Sequence, residues 1–234
     1  MNLFYTPDIE GEYYTLSPEE SKHCIRVLRF SEGEPVALVD GRGNWYEGVI
    51  HRPDAKGCGV KILKKTESYG QRPFRLHLAV APTKNIDRTE WMLEKCTEIG
   101  IDEITLLNTD HSERRVVKEE RLEKVIIAAM KQSLKAYLPR LNAMTSFREF
   151  ITSCTETQKL IAHCHEAEKK RLDEIYQPGK DVVILIGPEG DFSEEEIAEA
   201  EKSGFVPVTL GSSRLRTETA GLVACHSVNF MNKI

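Results

Sequence analysis

Two hydrophobic periodicities share this chain, and the pattern changes near residue 70. Ser17-Pro18-Glu19-Glu20 places serine at an N-cap, proline at the first helical position and glutamate at N3, so it opens a helix. That short helix carries "SKHCIRVLRF". "PVALVD" and "WYEGVIH" then read as strands joined by the turn Gly41-Arg42-Gly43-Asn44, and "GVKILKK" as a third strand. Short strands with one helix predict a small β-barrel domain over residues 1–70. "TESYGQRP" (Thr66 to Pro73) is polar, with Gly70 and Pro73, and reads as a linker.

Residues 71–234 alternate between strand and helix. "RLHLAV" alternates Leu76, Leu78 and Val80, whereas Met92, Cys96 and Ile99 recur at helical spacing. "IDEITLLNT" is a strand, and Leu122, Val125, Ile126 and Ala129 make a second helical stripe. "KLIAHC", "VVILIG" and "FVPVTLG" are further strands, and "TAGLVACHSVNFM" a final helix. Alternation of this kind predicts an α/β domain with a mainly parallel sheet.

Ligands of open α/β sheets bind beyond the carboxyl ends of the strands. Two strand ends here break into glycine turns that open onto helices. One is Ile186-Gly187-Pro188-Glu189-Gly190, and the other runs from Leu210-Gly211 through "SSRLRTETA". Together they predict a pocket. It is no phosphate cradle, because neither GxxxxGK[ST] nor GxGxxG is present. The helix after the first turn starts Asp191-Phe192-Ser193-Glu194-Glu195-Glu196, whose carboxylates suit a helix N-terminus and repel a triphosphate. The turn favours a neutral or cationic ligand. In the second loop Arg214 and Arg216 either pair with Glu218 or meet nucleic acid.

Charge and cysteine usage narrow the partners. The net charge of −5 argues against a surface coated in basic residues. A local basic face remains open: Lys22, Arg26 and Arg29 recur at spacings of four and three on the first helix, suited either to solvent or to phosphates. None of the six cysteines forms a CxxC pair, and the neighbours in "HCH" (His163 to His165) point to opposite faces of a strand, so no metal is expected. His77, His111 and His226 read as packing or surface residues. No apolar run approaches a membrane span and no signal peptide opens the sequence, so a cytoplasmic protein without membrane contact is expected.

"LIGPEGDFSEEEI" followed by "LGSSRLRTETA" closely resembles the ribosomal RNA small subunit methyltransferase E family, within the SPOUT class of methyltransferases. "HCIRVLRFSEGEPVALVDGRG" resembles the family's N-terminal PUA-like domain. "EKCTEIGIDEITLLNTDHSERRV" and "AAMKQSLKAYLPRL" resemble its Lys-x-x-Glu-Leu-Gly and Ala-x-x-Gln-Ser segments. The chain departs from the pattern at Asp191, where a second glycine is usual, at Lys131, where glutamate is usual, and in lacking an arginine near its start.

The resemblance implies a SPOUT-type α/β domain with a deep trefoil knot beside a PUA-like β-barrel. It implies a homodimer that methylates N3 of one uridine in 16S ribosomal RNA, within the small ribosomal subunit, using S-adenosylmethionine. Ile186, Gly187, Gly190, Leu210, Gly211, Leu215, Thr219 and Ala220 would line the cofactor site, with Glu189 and Arg216 organising it. Arg216 is also the catalytic candidate. Lys22, Arg26, Arg29 and Arg114 are the expected RNA contacts.

Overall fold

A computed structural model of the chain describes residues 2–166 and 168–234. The chain forms two compact units, Met1–Gln71 with Met130–Leu138, and Arg72–Ala129 with Pro139–Ile234.

The first unit contains β1 (Leu3–Tyr5), β2 (Tyr13–Thr15), α1 (Pro18–Lys22), β3 (Pro35–Val39), β4 (Trp45–Arg52) and β5 (Gly59–Thr66). Its curled sheet has the order β1-β3-β4-β5-β2. Phe4, Leu16, Leu38, Ile50 and Val60 fill one side of it. Burying each such side chain contributes roughly 1.5–3 kcal/mol. The predicted turn is held by Asp40, whose Oδ1 accepts from the N–H groups of Arg42 (2.8 Å) and Asn44 (3.2 Å).

Three features differ from the expectation. The strands β1 and β2 have only three residues each, too short to show a period. The helix over "SKHCIRVLRF" does not run through: α1 ends at Lys22 and a π-helical turn covers His23–Val27. The wider turn keeps Cys24 and Leu28 on the core and leaves Arg29 beyond the helix, at φ +59°. Finally, Met130 and Ala136 pack with Leu3, Ala37, Val39 and Trp45, so a segment far along the chain completes the first unit. A division at residue 70 does not anticipate this. Lys131, one of the departures from the family pattern, forms an ion pair with Glu20 of the same unit.

The second unit contains β6 (Leu76–Val80), α2 (Ile86–Ile99), β7 (Glu103–Asn108), α3 (Glu119–Gln132, its last turn in the segment just described), β8 (Arg140–Ser146), α4 (Phe147–Ser153) and β9 (Gln158–Ala162). Then follow β10 (Lys170–Arg171), α5 (Leu172–Ile175), β11 (Val182–Ile186), α6 (Glu194–Lys202), β12 (Val206–Thr209) and α7 (Thr217–Met231). The sheet order is β10-β12-β9-β11-β6-β7-β8, and every pairing is parallel. Every residue of β6 and β11 is buried, as in central strands of a parallel sheet covered on both faces. The edge strand β8 has no fully buried position, so it carried no period-two signal.

α2 starts at Asn85, whose side chain accepts from Asp87 N–H at 3.2 Å, and packs against α7. Gly221 permits the close approach: a Cβ there would lie 2.4 Å from Met92 Sδ. Arg72 Nη1 (2.9 Å) and Asn229 Nδ2 (2.8 Å) both donate to Gly100 O, closing the C-terminus of α2 against α7. Among the described residues no helix is long and apolar enough to cross a membrane.

Candidate active site

The sheet order sets β11 between β9 and β6, with β12 on the far side of β9. The loops after β9, β11 and β12 therefore leave the same edge of the sheet. They enclose a cavity of about 540 Å³ lined, among others, by Ala162, Ile186, Gly187, Leu210 and Arg216.

The first wall is the turn after β11. Asp191 N–H donates to Pro188 O at 2.9 Å, and Asp191 itself takes φ +64°. α6 then starts on a capping box: Ser193 Oγ accepts from Glu196 N–H (3.2 Å) and Glu196 Oε2 from Ser193 N–H (2.9 Å). Ser193 Oγ also donates to Asp110 Oδ2 at 2.8 Å, while Glu196 Oε1 accepts from Asp110 N–H at 3.0 Å. Burial pushes the Glu196 carboxyl up from its ordinary value. The loop after β7 is thus fastened to the helix start.

The second wall is the loop after β12. Gly211 takes φ +143° with open space where a Cβ would stand, a conformation that favours glycine. Thr217 Oγ1, at the start of α7, donates to Gly187 O at 3.0 Å and joins the two walls. Glu189 Oε1 accepts from Lys84 N–H at 2.9 Å. Arg114 donates from Nε to Thr83 O (3.1 Å) and from Nη2 to Lys84 O (2.6 Å).

Of the ten residues expected at a cofactor site, all but Gly190 and Thr219 line this cavity. Gly190 packs against the loop after β7: a Cβ there would meet His111 Cβ at 3.1 Å. Thr219 sits within the first turn of α7. Arg214 and Arg216 are both exposed at the cavity. Glu218 does not lock this loop: its Oε1 faces Arg88 Nη1 of α2 at 3.4 Å. Lys22, Arg26 and Arg29 are exposed on the first unit, although the π-helical turn takes Arg29 off the helix.

Sequence profiles match this chain in two places. An RNA methyltransferase domain covers residues 70–229, and an RNA methyltransferase PUA domain covers residues 16–63. Over 228 residues the chain is 31% identical to ribosomal RNA small subunit methyltransferase E of Mesomycoplasma hyopneumoniae, covering 95% of this chain and 96% of that one. The chain belongs to the ribosomal RNA small subunit methyltransferase E family. The fold agrees with that assignment. A "probable rRNA-methyltransferase" from Porphyromonas gingivalis is similar with a TM-score of 0.94 and 44% identity, over 100% of this chain and 99% of that one. The methyltransferase E of Neisseria gonorrhoeae, solved bound to S-adenosyl methionine, is similar with a TM-score of 0.88 and 28% identity, over 99% and 98%.

Residues that were not expected at the site sit on neighbouring loops. Asp191 Oδ2 accepts from Cys164 N–H at 2.6 Å. His165 Nε2 donates to Phe192 O at 2.8 Å. Lys169 Nζ donates to His163 O (3.0 Å) and His165 O (2.7 Å). Burial holds the His163 imidazole below its ordinary pKa. The "HCH" segment is therefore a wall held by hydrogen bonds. Its one signal in the sequence was its position directly after a strand.

Proposed function

We propose that this protein uses S-adenosylmethionine to methylate N3 of a specific uridine in 16S ribosomal RNA, as a cytoplasmic homodimer acting on the small ribosomal subunit. The observation that carries the reading is the cavity in which the two glycine loops meet, with eight of the ten expected cofactor residues along its walls.

The cavity suits that cofactor. Ile186, Val208, Leu210, Leu215 and Ala220 offer apolar surface for an adenosine. The exposed backbone at Gly187 and Gly211 offers hydrogen-bonding groups. Asp191 offers negative charge, and no phosphate cradle is needed. When bound, S-adenosylmethionine supplies an electrophilic methyl group on a sulfonium.

The protein's own task is orientation and charge control. Gly187, Glu189, Gly190 and Gly211 shape the loops, and Thr219 with Ala220 anchors the start of α7. Fixing two reactants in line replaces an encounter with an intramolecular geometry. Uridine N3 is a weak nucleophile until it loses its proton, so negative charge on the uracil must be held. Arg216, exposed at the cavity, carries that role.

Lys22, Arg26 and Arg29 hold RNA phosphates. Arg114 spends Nε and Nη2 on backbone carbonyls, which leaves one edge of its guanidinium for RNA. The SPOUT resemblance implies a trefoil knot in the α/β unit. Phe230 (72% exposed) in the last turn of α7 and Ile234 (59% exposed) beyond it leave apolar surface that supports dimerisation. The test is incubation of small ribosomal subunits lacking this modification with protein and methyl-labelled cofactor. Label in the RNA supports the reading. Cofactor binding without any labelled RNA, from subunits or from free 16S RNA, refutes it.

A further inference from the structure

Asp191 is where this chain departs from the glycine usual in its family, and the structure shows what the departure adds. The residue keeps the left-handed backbone a glycine would take, at φ +64°. Aspartate tolerates that region better than most residues, but gains nothing by it. Its carboxylate is fixed from two sides: Oδ1 accepts from Phe192 N–H at 2.9 Å and Oδ2 from Cys164 N–H at 2.6 Å. Only 15% of the side chain is exposed, and it lines the cavity.

Among the described residues no lysine or arginine forms an ion pair with that carboxylate. Among the described residues its one ion-pair neighbour is His165, with Nε2 at 4.0 Å. That nitrogen already donates to Phe192 O. Lys169, which also lines the cavity, spends its Nζ on the carbonyls of His163 and His165. Arg214 and Arg216 stand exposed. A largely buried carboxylate is costly unless a cation arrives to pair with it. Two backbone N–H groups leave about half of its acceptor capacity free.

We propose that Asp191 makes this cavity charge-selective, so that it favours the sulfonium cation of S-adenosylmethionine over the neutral thioether of S-adenosylhomocysteine. The proposal rests on the reading that the cavity takes S-adenosylmethionine. Its consequence is a bias toward product release: once the methyl group has left, the ligand is neutral and the carboxylate loses its partner.

The test is calorimetric and needs no turnover. S-adenosylmethionine, S-adenosylhomocysteine and sinefungin, an analogue with an ammonium-bearing carbon in place of the sulfonium, are titrated into the wild type, Asp191→Asn and Asp191→Gly. Asn keeps an acceptor without charge, and Gly suits the left-handed backbone, so the two variants separate loss of charge from backbone strain. The wild type is expected to bind both cationic ligands more tightly than S-adenosylhomocysteine. In the variants that preference falls by about five- to tenfold, while the affinity for S-adenosylhomocysteine stays within about twofold. An unchanged preference, or an equal loss for all three ligands, overturns the proposal and leaves Asp191 a structural staple. A wild type that binds none of the three overturns the cofactor reading itself, which is a distinct result.

Discussion

Glu156 lies at the amino ends of the strands, away from the cavity, and tests whether the electrostatics of the α/β unit are understood. Its carboxylate meets His77 Nδ1, and His77 Nε2 meets Thr105 Oγ1 at 2.8 Å. Asn142 Nδ2 donates to the same hydroxyl oxygen at 2.8 Å and to Glu103 at 2.7 Å. The ionised carboxylate can only accept, so Nδ1–H donates to Glu156. The His77 hydrogen bond is the main cause that draws the Glu156 carboxyl down from 4.5 to about 2, against the opposing effect of burial. At about 1.4 kcal/mol per pH unit, that drop is worth roughly 3 kcal/mol. Solvent reaches 21% of the side chain, and screening trims the figure to about 2 kcal/mol. A folded-state value below the unfolded one means that the contribution is complete above about pH 5 and is lost as pH falls toward 2. Glu156→Gln removes the charge and keeps the shape. It is expected to cost about 2 kcal/mol at pH 7, and the gap from the wild type should shrink to less than about half by pH 3. Urea unfolding followed by far-UV circular dichroism across that range measures both curves. A gap as wide at pH 3 as at pH 7 refutes the reasoning, because the loss would then be one of shape or packing rather than charge.

Other substitutions probe the site and the frame that holds it. Arg216→Lys should lower turnover at least tenfold while leaving cofactor affinity within about twofold; full turnover with an unchanged pH profile would remove Arg216 from the chemistry. Thr217→Val deletes the hydrogen bond to Gly187 O that joins the two walls. It should weaken cofactor binding by about 1 kcal/mol in calorimetry. Ser193→Ala removes the cap of α6 and its bond to Asp110, and should lower unfolding free energy by about 1 kcal/mol. In the first unit, a Cβ at Gly48 would lie 2.7 Å from Lys61 O, a backbone atom that cannot step aside. Gly48→Ala should therefore destabilise by at least about 2 kcal/mol, measured as a loss of protection from amide exchange across β4 and β5.

The parts of the fold read correctly from the sequence are those where burial repeats with a period. β11 announced itself because five adjacent residues are buried, and α2 because Met92 and Cys96 face the core once per turn. What stayed hidden had a physical reason. β8 is an edge strand without a buried face. The π-helical turn at His23–Val27 follows from packing Cys24 against the core and not from local propensity. The placement of Met130 and Ala136 in the first unit is a long-range contact that no local pattern encodes. The same division holds at the site. The GPEG and LRTETA loops could be picked out because each is a glycine turn that ends an apolar strand and opens onto a helix. The staple from Asp191 to Cys164 could not, because it depends on β9 lying beside β11 in a parallel sheet.

The identity of the modified nucleoside tests the central claim most directly. Small subunits from cells lacking this protein are treated with the enzyme and S-adenosylmethionine, the RNA is digested, and nucleosides are resolved by mass spectrometry. The account predicts one new 3-methyluridine per 16S RNA. A ribose 2′-O-methyl nucleoside, or an unaltered profile despite bound cofactor, would contradict it.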